Sequence, residues 1–322
     1  MDGRKRNRGS YETGPNGRQA QHRHSRQDNN RPAGSHLIAK HYNERPEVGV
    51  EKRKESKIIR LRSFNNWVKS VMIQRYVRQR DTVLDMGCGK GGDLNKMAKA
   101  RIGHLIGADV AHVSLEQMQE RYQGLRHKTF TAEFHALDCF VDHLTPRLLS
   151  DRPIDVVSMQ FSLHYAFESE TKVRCMLDNI SSRLRRGGHF IGTTPDAYWI
   201  AKRLKTHRVT RFGNSVYSID FGDDFDYRFR KFGCKYMFHL EDAVDCPEFL
   251  VHWPTFTQLA SEYGLKLQFK QNFHELFASA SQEKDFNYLL RRIGVIGGDA
   301  PEMSADEWEA ARVYVAFAFV KE

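Results

Sequence analysis

A short run in the first third of this 322-residue chain carries the residues best placed to do chemistry: Val83-Leu-Asp-Met-Gly-Cys-Gly-Lys-Gly-Gly-Asp-Leu94. Gly87, Gly89 and Gly92 match G-x-G-x-x-G, the dinucleotide fingerprint, while Gly87, Gly89 and Gly91 match the G-x-G-x-G of S-adenosylmethionine (AdoMet) binders. The glycines alone leave both open. Asp85 stands two residues before the first glycine, where a carboxylate enters the cleft at a strand end. There it repels a pyrophosphate and attracts the ammonium of a methionine moiety, so it favours AdoMet. Asp109, closing the next strand, suits both hydroxyls of a ribose in either family. Asp138, after the third, is placed to accept from an adenine amino group or to cap a helix. No G-x-x-x-x-G-K-[ST] run occurs, which removes a Walker phosphate loop. Lys90 has no use beside a cofactor that is already cationic, so it answers a second ligand.

These positions dictate the elements that must carry them. From Val83 onward strand and helix signals alternate, with strands near 82–86, 104–109, 129–135, 154–160 and 188–193 and helices near 91–100, 113–123 and 170–184. The alternation predicts a doubly wound α/β sheet with the acids at the carboxyl ends of its strands. Upstream, Ile58, Leu61, Phe64, Val68, Val71 and Met72 recur at helical spacing, predicting one or two amphipathic helices to about Arg78 with a break near Ser63. After Pro195 the alternation stops. Residues 210–240 are rich in aromatics and glycine, which predicts an inserted antiparallel β hairpin. A helix near 254–263, a strand near 265–270 and the run Val313–Val320 complete the sheet.

With 40% apolar residues, the chain is able to bury a large core. The absence of any run of about 18 apolar residues and a polar first thirty argue against a membrane span and a secretory signal. The five cysteines (Cys88, Cys139, Cys175, Cys234, Cys246) never form C-x-x-C, as expected of reduced thiols in an intracellular protein without a metal site. The net charge of +10 is uneven: residues 1–80 hold 20 Lys and Arg against 7 Asp and Glu, and residues 81–322 hold 30 against 33. A basic front on a near-neutral body points to a polyanionic partner such as nucleic acid, or to a solubilising tail. Residues 1–37 read as a disordered basic tail, with Arg4-Lys-Arg-Asn-Arg8 as a candidate nuclear import signal.

Beyond the glycine loop, His41-Tyr-Asn43, Asn65-Asn-Trp-Val-Lys69, Gln160-Phe-Ser-Leu-His-Tyr165, Phe232-Gly-Cys-Lys-Tyr-Met-Phe238 and Cys246-Pro-Glu-Phe-Leu-Val251 follow in order. Together they resemble the eukaryotic mRNA cap guanine-N7 methyltransferases over roughly residues 38–322. The resemblance implies a Rossmann-like class I AdoMet-dependent methyltransferase domain over 38–322. Its activity would be that of an mRNA (guanine-N7)-methyltransferase: a methyl group passes from S-adenosyl-L-methionine to N7 of the terminal guanine of the GpppN cap, leaving S-adenosyl-L-homocysteine. It implies AdoMet contacts from Lys69, Gly87, Asp109, Asp138, Gln160 and Tyr165, to which the charge argument adds Asp85. It implies cap contacts from Asn65 and Asn66, from Lys90, Lys96 and Arg121 toward the phosphates, and from His164, Glu248 and Tyr314 around the guanine. Implied with these are the capped 5′ end of mRNA as partner, other capping or transcription machinery nearby, no membrane, no metal, a monomer, and the nucleus. Met97 stands where the family has an aromatic and Phe249 where it has tyrosine.

The chemistry is consistent with a residue set that has no nucleophilic triad. Guanine N7 offers a free lone pair and no proton leaves, so no general base is needed. A carboxylate on the guanine N1–H and amino group, assigned to Glu248, would bind the charge that develops on the ring. Two other readings keep the same loop: an AdoMet enzyme for another RNA base or a small metabolite, and an inactive RNA-binding module.

Overall fold

The computed structural model describes residues 33–44, 56–126, 128–297 and 302–322. The candidate import signal and most of the basic tail lie outside the described residues. Helix α1 spans Ala33–Glu44, so residues 33–37, assigned above to the tail, are helical. Ala33, Gly34, Ser35 and His36 carry no periodic apolar pattern, so the sequence does not mark where this helix begins.

Helix α2 (Ile59–Tyr76) runs unbroken through Ser63. Leu61 and Phe64, on either side of the expected break, both sink into the core, together with Trp67, Val68, Val71 and Met72. One continuous apolar face therefore holds one continuous helix.

The main sheet follows. β1 (Thr82–Met86), β2 (His104–Asp109), β3 (Thr131–Ala136), β4 (Ile154–Gln160) and β5 (Leu184–Pro195) pair in parallel, with α3 (Leu94–Ala100), α4 (His112–Gln123) and α5 (Glu170–Ser181) as crossovers. After β5 come α6 (Ala197–His207), the inserted strands described below, α7 (Trp253–Glu262), β10 (Leu265–Asn272), α8 (Phe273–Ala280), α9 (Lys284–Arg292), α10 (Ala305–Ala311) and β11 (Tyr314–Lys321). The strand order is β10-β11-β5-β4-β1-β2-β3, with β11 antiparallel to both neighbours. Adjacent residues feed opposite faces, as the strand period requires: Val83 packs with the α2 side, Leu84 with Val157, Phe190 and Phe317 on the other. No described helix is long and apolar enough to cross a membrane.

The insertion is larger than a hairpin. β6 (Arg211–Gly213), β7 (Tyr217–Asp220), β8 (Lys235–Leu240) and β9 (Val244–Phe249) form a four-stranded antiparallel sheet. Two features hide it in the sequence: β6 is three residues long, and Pro247 sits within β9, a residue that sheets tolerate at edges. Its buried side chains Tyr217, Ile219, Tyr236 and Phe238 join the core that also takes Tyr314 from β11. Met97 and Phe249, the two departures from the family pattern, are both buried in apolar core.

Candidate active site

At the carboxyl ends of β1, β2 and β4 lies a cavity of about 270 Å³. All seven residues expected to hold the cofactor line it: Lys69, Asp85, Gly87, Asp109, Asp138, Gln160 and Tyr165. The glycine question is answered by backbone dihedrals. Gly87, Gly89 and Gly91 have positive φ (+76°, +51° and +71°), and Gly92 does not. The backbone therefore demands G-x-G-x-G. A Cβ on Gly87 would also come within 2.5 Å of Ser162 Oγ.

The acids divide the labour. Asp93, at the start of α3, is buried between two ammonium groups: Lys69 Nζ lies 2.9 Å and Lys96 Nζ 2.6 Å from its Oδ1. Burial alone would raise its pKa, but the two lysines prevail and hold it at about 2. Asp85 is equally buried and makes no direct ion pair among the described residues. Burial, then the neighbouring Asp93 charge, push its carboxyl up to about 8. A cationic ligand beside Asp85 would supply the missing counter-charge. Asp109 accepts from Gly89 N (2.7 Å) and Ala111 N (2.8 Å), yet burial outweighs these bonds and raises it. Each of its oxygens retains a lone pair for a hydroxyl. Asp138 caps no helix: its Oδ1 accepts from Phe140 N at 3.0 Å in a local turn, while its buried Oδ2 has no hydrogen-bond partner among the described residues. Gln160 is oriented by Ser158 Oγ and Thr193 Oγ1, each at 3.1 Å.

The cavity wall continues into a second cluster. Tyr165 lines the cavity and its ring lies 4.2 Å from that of His164. His164, Glu248 and Tyr314 are buried at 1%, 3% and 4% exposure. Glu248 Oε2 accepts from Tyr236 OH at 2.7 Å. His164 Nε2 lies 3.2 Å from Glu248 Oε1 but off the line of a hydrogen bond, so neither ring nitrogen is bonded among the described residues. Tyr314 packs edge-on against Phe161 at 5.0 Å. Its hydroxyl, like that of Tyr236, is raised well above the usual range, first by burial and next by the Glu248 charge.

The expected phosphate ligands form a third group at the loop and the helices framing it. Arg121 Nη1 donates to Lys90 O at 2.8 Å, tying α4 to the glycine loop. Lys96 is partly committed: besides Asp93 it donates to Asn66 Oδ1 at 3.1 Å and Gly92 O at 3.3 Å. Asn65 is half-buried with Oδ1 unpartnered. None of these five lines the cofactor cavity.

Three residues escaped the sequence reading of roles. Tyr42 of α1 lines the cavity and shares a 3.2 Å hydrogen bond with Tyr165 OH. Asp93 had half of a visible signal, an acid at a helix start with Lys96 one turn on, while its other partner, Lys69, comes from α2. Tyr236 had none, because its partner lies across a strand pair that the sequence reading did not contain.

A Rossmann-like sheet with a positive-φ glycine loop and a cavity lined by Asp85, Asp109 and Asp138 at its strand ends defines the class: an AdoMet-dependent methyltransferase fold. Residues 24–322 match the family model of the mRNA (guanine-N(7))-methyltransferase domain. The chain belongs to that family. It is 48% identical to an mRNA cap guanine-N(7) methyltransferase of Cryptococcus neoformans, covering 88% of this chain and 47% of that one. It is 45% identical to mRNA cap guanine-N(7) methyltransferase 1 of Arabidopsis thaliana (88% and 80%) and 41% identical to the Schizosaccharomyces pombe relative (95% and 86%). The chain thus spans about half the length of the Cryptococcus relative. An S-adenosylmethionine-dependent methyltransferase structure from Clostridium acetobutylicum matches with a TM-score of 0.47 at 11% identity, covering 81% of this chain and 91% of that one.

Proposed function

We propose that this chain transfers a methyl group from S-adenosyl-L-methionine to N7 of the terminal guanine of a GpppN cap. The observation that carries the reading is adjacency: Tyr165 belongs to the cofactor cavity and packs on His164, whose neighbour Glu248 is a buried carboxylate with an oxygen toward His164. A cationic donor and a guanine would thus meet at one wall.

The donor would supply a methyl group already activated on sulfonium sulfur. The chain supplies position. Asp85 would face the cationic end, Asp109 the ribose hydroxyls, and Asp138 Oδ2 an adenine amino group. Alignment of this kind is worth ~7–11 kcal/mol in well-oriented reactions. Glu248 would accept from guanine N1–H and the amino group, strengthening as positive charge moves onto the ring. His164 is not needed as a base. Lys90, Lys96 and Arg121 would face the triphosphate with charge-assisted bonds. The nucleus as the working compartment rests on the family and the Arg4–Arg8 run.

The test is transfer of labelled methyl to GpppA-capped, ApppA-capped and uncapped RNA, with the methylated atom identified. Label on N7 of the GpppA cap alone supports the proposal. Label on an internal base, on all three RNAs, or on none overturns it.

A further inference from the structure

A second cavity, of about 330 Å³, lies between α2, α3 and α9, lined by Ser70, Ile73, Gln74, Lys96, Lys99 and Leu289 among others. Its composition is one-sided. Among the described residues its charged lining consists of Lys96 and Lys99 of α3, and neither α2 nor α3 contains an acid. On the facing segment Glu283 pairs with Arg75 at 2.6 Å, and the acid of α9 itself, Asp285, is not among the residues that line the groove. Lys99 is exposed and pairs with no acid among the described residues. Ile73, Val77 and Ala100 give the groove an apolar floor beneath these cations.

Lys96 joins this groove to the cleft. Its ammonium is pinned to Asp93, which lines the cofactor cavity, and to Asn66, while its side chain lines the groove. Lys99 follows on the same helix face, one turn farther from the cleft.

We propose that this groove seats the single-stranded RNA that follows the cap. The inference rests on the cap-methylation reading and adds the path of the chain beyond it. Phosphates would track from Lys96 to Lys99 while sugars and bases lie over the apolar floor, the combination by which proteins hold single strands without reading sequence. Gln74 and Ser70 offer neutral hydrogen bonds along the same wall.

The experiment compares the full chain with a Gln74→Glu/Lys99→Glu variant and a Lys99→Arg control, each checked for an unchanged melting temperature. Substrates are the GpppA dinucleotide, a GpppA-capped RNA of about fifteen nucleotides, and the same RNA uncapped, whose binding is read by fluorescence anisotropy. The double variant should raise KM for the long capped RNA at least about fivefold, weaken uncapped binding similarly and flatten its salt slope by about 0.7 per lost phosphate contact. Dinucleotide kinetics should stay within about twofold, since each screened contact acts only where RNA reaches. Lys99→Arg should behave as wild type. Equal KM and equal anisotropy for variant and wild type would overturn the groove, including the case in which an acidic protein segment is its true occupant. If wild-type protein leaves the dinucleotide unmethylated, the cap reading falls, and the groove is judged on uncapped RNA alone.

Discussion

Tyr236 and Glu248 face each other in register across the β8–β9 pair, and the tyrosine hydroxyl donates a 2.7 Å hydrogen bond to the carboxylate. Burial keeps that hydroxyl protonated far above neutral pH, so it remains a donor. The bond fixes one oxygen of Glu248 and thereby the direction of the other. Tyr236→Phe should lower kcat/KM for GpppA about tenfold, in line with the roughly 1.5–3 kcal/mol of a hydrogen bond to a charged group. Glu248→Gln should cost more, because it removes the charge that answers the developing cation. Wild-type kinetics for Tyr236→Phe would show that the bond positions nothing.

Asp85 predicts a proton released on cofactor binding. Its carboxyl titrates near pH 8 in the ligand-free protein, so at pH 7 it is mostly protonated. A cation beside it favours the ionised form, and the affinity for AdoMet therefore rises with pH and levels off above the free-protein pKa. Titration calorimetry at pH 7 in buffers of different ionisation enthalpy should read close to one proton released per AdoMet bound, by this linkage. Asp85→Asn should abolish the release and weaken binding. Zero release in the wild-type protein would mean that Asp85 does not face the cationic group.

Two glycine substitutions separate the motif readings. Gly87→Ala places a Cβ 2.5 Å from Ser162 Oγ at a φ of +76°. The left-handed backbone costs a non-glycine residue about 1–2 kcal/mol before any clash. Gly92→Ala meets nothing nearer than Lys69 Nζ at 3.8 Å, an ordinary contact. AdoMet affinity should fall at least tenfold in the first, on the order of 1.4 kcal/mol, and little in the second. Equal losses would return the loop to the dinucleotide pattern.

Why the cofactor side was legible in sequence and the guanine side less so follows from distance along the chain. Asp85, Gly87, Asp109 and Asp138 each sit at the end of a local strand signal, and the parallel topology gathers strand ends on one edge. Strands β1, β2 and β4 match the expected bounds to the residue because each is a short run with a sharp end: β1 stops at the glycine loop, β2 closes on Asp109 and β4 on Gln160. Glu248, Tyr236 and Tyr314 meet only through the inserted sheet and β11, and no local spacing encodes that meeting. Their roles came from family resemblance, and Tyr236, which the resemblance gave no role, was missed. The helices α8 and α10 were also missed, although Asn272 with Glu275 and Ser304 with Glu307 are capping boxes written in the sequence. Each helix is only seven or eight residues long, too short for its apolar period to stand out.

Asp93 is the residue whose loss should be felt most widely. It holds Lys69 and Lys96, each about 85% buried, and breaking a buried pair from one side typically costs 3–5 kcal/mol because the charge left behind has no partner. Asp93→Asn strands two ammonium groups at once and should lower the melting temperature by roughly 6–20 °C, at about 2–4 °C per kcal/mol. The pH dependence has a definite sign. With a folded-state pKa of about 2, below its ordinary value, Asp93 contributes stability that is complete above about pH 5 and is lost as the pH falls through 2. The variant should lack that acid limb. It should also release less than one proton on binding AdoMet at pH 7, since removing the Asp93 charge takes away the largest pressure after burial that raises Asp85. A variant as stable as wild type, with an unchanged acid limb, would show that the lysines are held by solvent rather than by Asp93.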